Sequence, residues 1–331
     1  MRINKELKSL SKAFEITFIG SGISNHDCYG KTFCKYFYLI DGKRNNPLTI
    51  IKQTLLVARL LFKKFDSIHI INEQLMIFYY PLLFRQHVVL DIFDSIFLMK
   101  NQSNNNLLLL KRIIYAPVAK ILVTDQNRKA LMPAFTHHKI HILENFPNIF
   151  NGIIKQNNSR EPLTILYNGW LGKYRGTDVV NKILSVDDKI RVIMAGWFAD
   201  DESRKLAMHP QVEYKGIMRQ EEALTIAAHD ADYILCVYAP NSENNINASP
   251  NKIYDAIQTR KPLITNKEIK VSKFVKDNNL GIVIEDYNNF DSVQLIKDLY
   301  TLKNSFNFNE NLIKQYTWEN IEGELLNAHK V

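Results

Sequence analysis

The second half of the chain alternates short apolar runs with amphipathic stretches. Runs rich in Val, Ile, Leu and Tyr occur at 163–167, 191–195, 212–214, 233–237, 262–265 and 281–284. Between them the apolar positions move to helical spacing, near 177–184, 220–229, 250–259 and 272–279. Strand and helix in turn predict right-handed βαβ units and a parallel sheet, since a parallel neighbour is reached only through a crossover. The first half gives strands at 15–19, 67–71, 88–92, 120–124 and 140–143, with helices over 48–64 and 107–115. A polar segment at 148–161 reads as a linker. At 331 residues, and about 150 residues per domain, two domains are expected. Two such α/β domains would leave a cleft, the usual place for a ligand.

The most informative segment is NASPNKIYDAIQTRKPLI, residues 247–264. It reads as loop, helix, short strand. Ser249 is a good N-cap, and Pro250 suits the first helical position, where its missing N–H would be unpaired anyway. The first turn offers free N–H groups and the positive end of a dipole, which favour an anion. Lys252 adds a full charge there. Asn251, Lys252 and Asp255 share one helix face. A cation and a carboxylate about one turn apart suit a nucleoside diphosphate: phosphates at the helix end, ribose diol at the carboxylate.

This segment resembles the donor-binding helix of GT-B glycosyltransferases, particularly the retaining family 4 type. That family carries an acidic pair with seven residues between its members. Asp255 falls on the second position, which holds the ribose; Asn247 falls on the first, usually Glu, which contacts the donor sugar. The resemblance extends along the chain. ILYNGWLGKYRGTDVV (165–180) is similar to the strand, glycine turn and "KG" that open the family's C-terminal domain. VIMAGWF (192–198) is similar to its next strand and glycine turn. VEYKGIMRQEEALTIAAHDADYILCVY (212–238) follows, and YTWENIEGELLNAH (316–329) resembles the terminal helix that crosses back to the N-terminal domain. KILVTDQNRKALM (120–132) and HILENFPN (141–148) resemble the end of that first domain.

The resemblance implies a GT-B fold of class α/β, with two Rossmann-like doubly wound domains facing a cleft. The divisions are 1–150 on the acceptor side, 151–312 for the nucleotide sugar, and a crossing helix at 313–331. One departure stands at the start: 2–20 resembles the family's first helix and second strand, so the first strand and its glycine turn are missing ahead of them. A truncated N-terminus is the expectation, with an unfilled sheet position.

Glycosyl transfer needs the departing diphosphate stabilised by preorganised cations and N–H dipoles. Arg175 sits at the family's "KG" lysine; Trp170 occupies the usual arginine position after Gly169. Arg175 and Lys252 are the expected clamp, with Lys173 third. Gly169, Gly196, Asn247, Ser249, Pro250, Asn251 and Asp255 complete the expected donor site, and Trp197 has two readings, a nucleotide neighbour or packing. On the acceptor side, DIFDS (91–95) ends a strand where relatives often read "D-i-H-D". Phe93 replaces the histidine, leaving Asp94 as a catalytic-side candidate; Glu73, at the end of the previous strand, is an acceptor candidate. The resemblance implies that the leaving phosphate takes the acceptor proton, so no protein base is required. No cofactor and no metal are expected: Asp230-Ala231-Asp232 mimics a metal-binding D-x-D but immediately precedes an apolar strand.

Composition narrows the partners. A net charge of +8 favours anionic ones. No stripe of basic and aromatic residues suggests nucleic acid. Cys28, Cys34 and Cys236 form neither an even disulfide set nor a paired zinc spacing, which suits reduced thiols in a cytosolic protein. Basic amphipathic stretches at 48–64 and 107–120 suit an anionic membrane. Their apolar faces are nonetheless expected to pack on the sheet, as helices of a doubly wound domain do. The reading is a cytoplasmic, peripheral enzyme moving sugar from UDP- or GDP-sugar to a glycan or undecaprenyl-diphosphate-linked acceptor in surface-polysaccharide synthesis. The alternatives are an inactive GT-B assembly module and a GT-B sugar-nucleotide epimerase.

Overall fold

A computed structural model describes residues 2–22, 29–43, 46–93, 95–99, 107–155 and 162–330. The chain divides into two compact units, Phe146–Thr317 and a second made of Met1–Asn145 with Trp318–Val331. In Phe146–Thr317 the strands are β7 (Thr164–Leu171), β8 (Arg191–Phe198), β9 (Val212–Tyr214), β10 (Tyr233–Cys236), β11 (Leu263–Asn266) and β12 (Gly281–Ile284). They form one parallel sheet in the order β12-β11-β10-β7-β8-β9. β10 and β11 are buried along their whole length, which explains their near-continuous apolar sequence. Helices Thr177–Leu184, Gln220–Asp230, Asn251–Thr259 and Ser272–Asp277 fall where the periodicity places them. Helix Ser292–Ser305 was not expected, although Asp291 caps it through bonds from the Val293 and Gln294 N–H groups.

The other unit holds β1 (Thr17–Gly22), β2 (Tyr36–Asp41), β3 (Ile68–Ile71), β4 (Val88–Ile92), β5 (Val118–Val123) and β6 (Ile140–Ile142). β3-β4-β5-β6 form a four-stranded parallel sheet, and β1-β2 form a separate parallel pair. Among the described residues no strand pairs with the second edge of β1 or of β3. Strand β4 is buried on both faces. Leu90 and Ile121 face a core containing Met76, Leu83 and Tyr115; Val89 and Leu122 face one containing Leu10, Leu143, Trp318 and Leu325. The terminal helix Trp318–His329 thus packs beside helix Arg2–Leu10 on the second face.

One expectation for this unit holds only in part. Helix Pro47–Leu60 buries Thr49 and Gln53, and leaves Leu48, Ile51 and Leu55 exposed. Val57, one turn beyond Gln53, packs against the core that contains Ile70 and Leu90, so the inner stripe is polar at its start and apolar further on, and only part of the apolar surface meets the sheet. Asn46 caps it by accepting from the Leu48 N–H at 2.9 Å. Strand β2 and helix Glu73–Tyr79 were also not expected.

Candidate functional site

In the sheet of Phe146–Thr317, the chain runs from β7 outward through β8 and β9, then returns to the other side of β7 with β10. The order therefore reverses between β7 and β10, and the carboxyl ends at such a switch point form the ligand crevice of open α/β sheets. Lys252 lies there. Its Nζ donates to the Leu235 carbonyl on β10 at 3.0 Å. Its stem runs past Gly169 of β7: a Cβ built on Gly169 would have Lys252 Cε as its nearest neighbour, at 3.9 Å. Gly169 pairs in register with Gly196, and both have positive φ, 90° and 137°. A Cβ on Gly196 would lie 1.8 Å from the Gly169 carbonyl oxygen, so no side chain fits between the strands at that point.

Electrostatics joins three of the expected residues. The Lys252 pKa is pulled from 10.5 down to about 8, chiefly by burial, with the Arg175 charge acting the same way and Cys236 and Asp255 opposing. Two cations near one another, one of them desolvated, make a place that gains from an arriving anion. The Lys252 ammonium also lies 5.4 Å from the Tyr167 ring centroid, and the Arg175 guanidinium 4.3 Å from that of Tyr238. Asp255 is buried, and its Oδ1 accepts from Gln220 Nε2 at 2.8 Å. Gln220 was missed by sequence reasoning because it lies far away in the chain, at the start of helix Gln220–Asp230.

The start of helix Asn251–Thr259 differs from expectation. Pro250, with φ −75° and ψ 128°, takes the N-cap position, and no side chain caps the helix. Ser249 therefore lies one residue outside the cap. The ψ of 128° keeps Pro250 itself out of the helix, and that moves the cap one residue along the chain. Asn251 is exposed at the first helical position. Asn247 is buried; its Nδ2 donates to the Glu243 carbonyl at 2.8 Å, while its Oδ1 has no protein partner. Asn168 Oδ1, next to Gly169, is likewise buried without one. Leaving such an atom unsatisfied costs about 1–3 kcal/mol, so both are acceptors that a bound hydroxyl or water would satisfy.

Lys173 has different surroundings. Its charge lies in the field of Asp178 and Asp200, and its backbone N–H donates to Asp200 Oδ2 at 2.6 Å. The Lys173 loop is thus pinned by a carboxylate. Trp170 and Trp197, partners in register on β7 and β8, are both largely exposed. Trp170 was noted in the sequence only as a departure from an arginine. Asp232 accepts from Lys303 Nζ and from the Thr164 N–H, so its carboxylate ties β7 to helix Ser292–Ser305.

In the other unit, Glu73 does not fit the acceptor role expected for it. It is fully buried, and its carboxylate accepts from Ser95 Oγ (2.8 Å), the Ile96 N–H (3.3 Å) and Tyr115 Oη (3.2 Å). Burial raises its pKa, against those bonds. The strand-end position is explained by helix Glu73–Tyr79, which begins with this residue and turns its carboxylate into the core. Asp94 lies outside the described residues. Phe93 packs under the Arg2 guanidinium, 4.7 Å from its ring centroid. Among the described residues, Glu6, His69 and Asp91 are the group with metal-ligand spacing, their ligand atoms within 4.8 Å of one another. Arg2 already provides a cation to both carboxylates, at 2.6 Å to Glu6 and 2.7 Å to Asp91.

No protein-family model matches the chain, and no curated protein sequence does. Solved structures do match. The lipopolysaccharide outer core galactosyltransferase WaaB in its apo form aligns over 95% of this chain and 99% of its own, with TM-score 0.60 and 12% identity. Anabaena Alr3699/HepE in complex with UDP and glucose aligns over 98% and 94%, with TM-score 0.67 and 12% identity. WaaG, a glycosyltransferase involved in lipopolysaccharide biosynthesis, aligns over 98% and 90%, with TM-score 0.58 and 16% identity. The chain has the GT-B glycosyltransferase fold.

Proposed function

We propose that the chain is a glycosyltransferase that moves a sugar from a UDP- or GDP-sugar to a glycan or lipid-linked glycan, in bacterial surface-polysaccharide synthesis. The observation that carries this reading is the grouping of Arg175, Lys252 and Asp255 at the sheet's switch point, in a chain with the GT-B fold. Arg175 and Lys252 take the diphosphate, with Lys173 as a further cation. The first-turn N–H groups of helix Asn251–Thr259 add their dipole. Asp255, held by Gln220, accepts from the ribose diol. Asn247 Oδ1 accepts from a sugar hydroxyl. Ser249 and Pro250 shape the entry to the helix, and Gly169 and Gly196 keep the crevice floor free of side chains.

The reaction breaks the bond from the anomeric carbon to the diphosphate oxygen and forms one to the acceptor oxygen. The acceptor proton passes to the departing phosphate, and the configuration is retained. Negative charge grows on the diphosphate as the bond lengthens, and the two cations are worth most at that moment. UDP is the nucleotide to test first, because HepE binds it. An undecaprenyl-diphosphate-linked acceptor, a cytoplasmic location and peripheral contact with an anionic membrane belong to the same proposal. Its test is an assay of sugar transfer from UDP- and GDP-hexoses to lipid-linked glycan extracts, with the anomeric configuration of the product read by NMR. Transfer with retention is expected, and Arg175→Ala should cost about 2–4 kcal/mol in the barrier. Conversion of the donor without acceptor would instead identify an epimerase, and no turnover of any donor would favour an inactive module.

A further inference from the structure

We infer that one face of the unit Met1–Asn145/Trp318–Val331, built by helices Pro47–Leu60, Glu73–Tyr79 and Leu108–Tyr115, docks on an anionic lipid bilayer surface. This deepens the proposed function by locating its membrane contact, and rests on that reading only for why a membrane is the place of work.

The face is continuous. Helix Pro47–Leu60 packs beside Glu73–Tyr79, which packs beside Leu108–Tyr115. Each turns apolar side chains outward. On the first, Leu48 is 67% and Leu55 65% exposed, and Phe62, just beyond its end, is 92% exposed. On the second, Ile77 and Phe78 are exposed while Met76 and Tyr79 are buried. On the third, Leu109 is 74% exposed, with Leu110 and Ile113 beside it. A single exposed leucine needs no explanation, but a run across three adjacent helices marks an interaction surface.

Charge selects the partner. Lys52, Arg59, Lys63, Lys64, Arg85 and Arg112 are exposed among these apolar residues. Over 46–64, 73–90 and 107–124 the only acidic residue is Glu73, which is fully buried. A second copy of the chain pressed face to face on this patch would bring like charges together. An anionic headgroup layer complements the basic side chains while the apolar ones enter the acyl boundary. No helix of the described residues is long and apolar enough to cross the bilayer, so the contact is interfacial.

The test is co-sedimentation of the full chain with vesicles of phosphatidylcholine alone or with about one third phosphatidylglycerol. Binding to the anionic vesicles is expected, weakened severalfold between about 0.1 M and about 0.5 M salt. Leu55→Glu combined with Leu109→Glu should lose about tenfold or more, and Lys52→Glu with Arg59→Glu should lose the preference for anionic lipid. Both pairs are exposed, so folding survives, checked by circular dichroism. Met208→Glu, on an exposed residue of the other unit, should leave binding unchanged. The inference is overturned if the wild type ignores anionic vesicles, or if the Leu55/Leu109 variant binds as the wild type does. It is also overturned if Met208→Glu loses as much, or if the lipid-free chain is a dimer that the Leu55/Leu109 variant splits. Nucleotide binding measured on the same samples separates the two ideas: vesicle binding without it would sink the transferase reading and leave the docking surface standing.

Discussion

Lys252 carries a cost that its own fold does not repay. Its ammonium is desolvated, close to Arg175, and has one carbonyl as its hydrogen-bonding partner. A lysine whose folded pKa of about 8 lies below its unfolded value of 10.5 penalises the native state. The sign is direct: the penalty is full below pH 8 and is relieved as pH rises from about 8 to 10.5, where the unfolded chain holds the proton and the native one does not. Lys252→Met should therefore raise stability at pH 7 by about 1–3 kcal/mol. The gain should shrink across that alkaline window in urea titrations, while binding of nucleoside diphosphate is lost. A destabilised Lys252→Met protein would mean that the ammonium serves the fold. Asn247 and Asn168 fit the same pattern, with buried acceptor oxygens left open for something the folded chain does not contain.

At the scale of elements, helix Arg2–Leu10 is fastened to the sheet by charge. Arg2 bridges Glu6 and Asp91 of β4, and His69 of β3 lies 3.7 Å from Asp91. On its other side, His69 Nδ1 lies 3.0 Å from His329 Nε2, and Ser67 Oγ lies 2.7 Å from His329 Nδ1. Two carboxylates share one arginine, and burial together with Asp91 lifts Glu6 from 4.5 to about 8. The native state therefore keeps a proton that the unfolded chain releases, and stability falls as pH rises from about 4.5 to 8. Glu6→Gln should flatten this fall in thermal melts between pH 5 and 8. An unchanged slope would place the proton elsewhere in the cluster.

The elements also show how far sequence reading reached. Residues 177–184, 212–214, 281–284 and 88–92 were legible to the residue, because each is bounded by a change of period or by turn-forming residues. Strand β2 was missed: the exposed and half-buried positions of YFYLID do not alternate regularly, and none is buried, so no face stands out. Helix Pro47–Leu60 was recognised, but its inward face is narrower than its apolar surface suggested. Periodicity shows that a helix has two faces, and here a narrow stripe of Thr49, Gln53 and Val57 meets the protein while Leu48, Ile51 and Leu55 stay outside. Glu73 failed for a related reason. A carboxylate at a strand end looks exposed until the next helix is known to begin on it. Of the candidate donor site, Lys252, Arg175 and Asp255 were readable from local motifs; Gln220 and Tyr238, which hold Asp255 and Arg175, depend on packing.

For the whole molecule, the excess of 42 Lys and Arg over 34 Asp and Glu is spent in more than one place. Part lies on the exposed face of three helices, where lipid headgroups would meet it. Part is at the switch point of the C-terminal sheet, where a diphosphate would. The GT-B fold spans the chain at identities of 12–16% to the matched structures. In the proposed donor site the switch-point cations and Asp255 act together on one nucleotide. Calorimetric titration of UDP and of GDP into the wild-type chain, Lys252→Ala and Asp255→Ala tests this most directly. One nucleotide should bind the wild type, and both variants should bind it at least about tenfold more weakly, the loss of about 1.4 kcal/mol. A folded wild-type chain that binds neither nucleotide, or variants that bind as well as it does, would contradict the account.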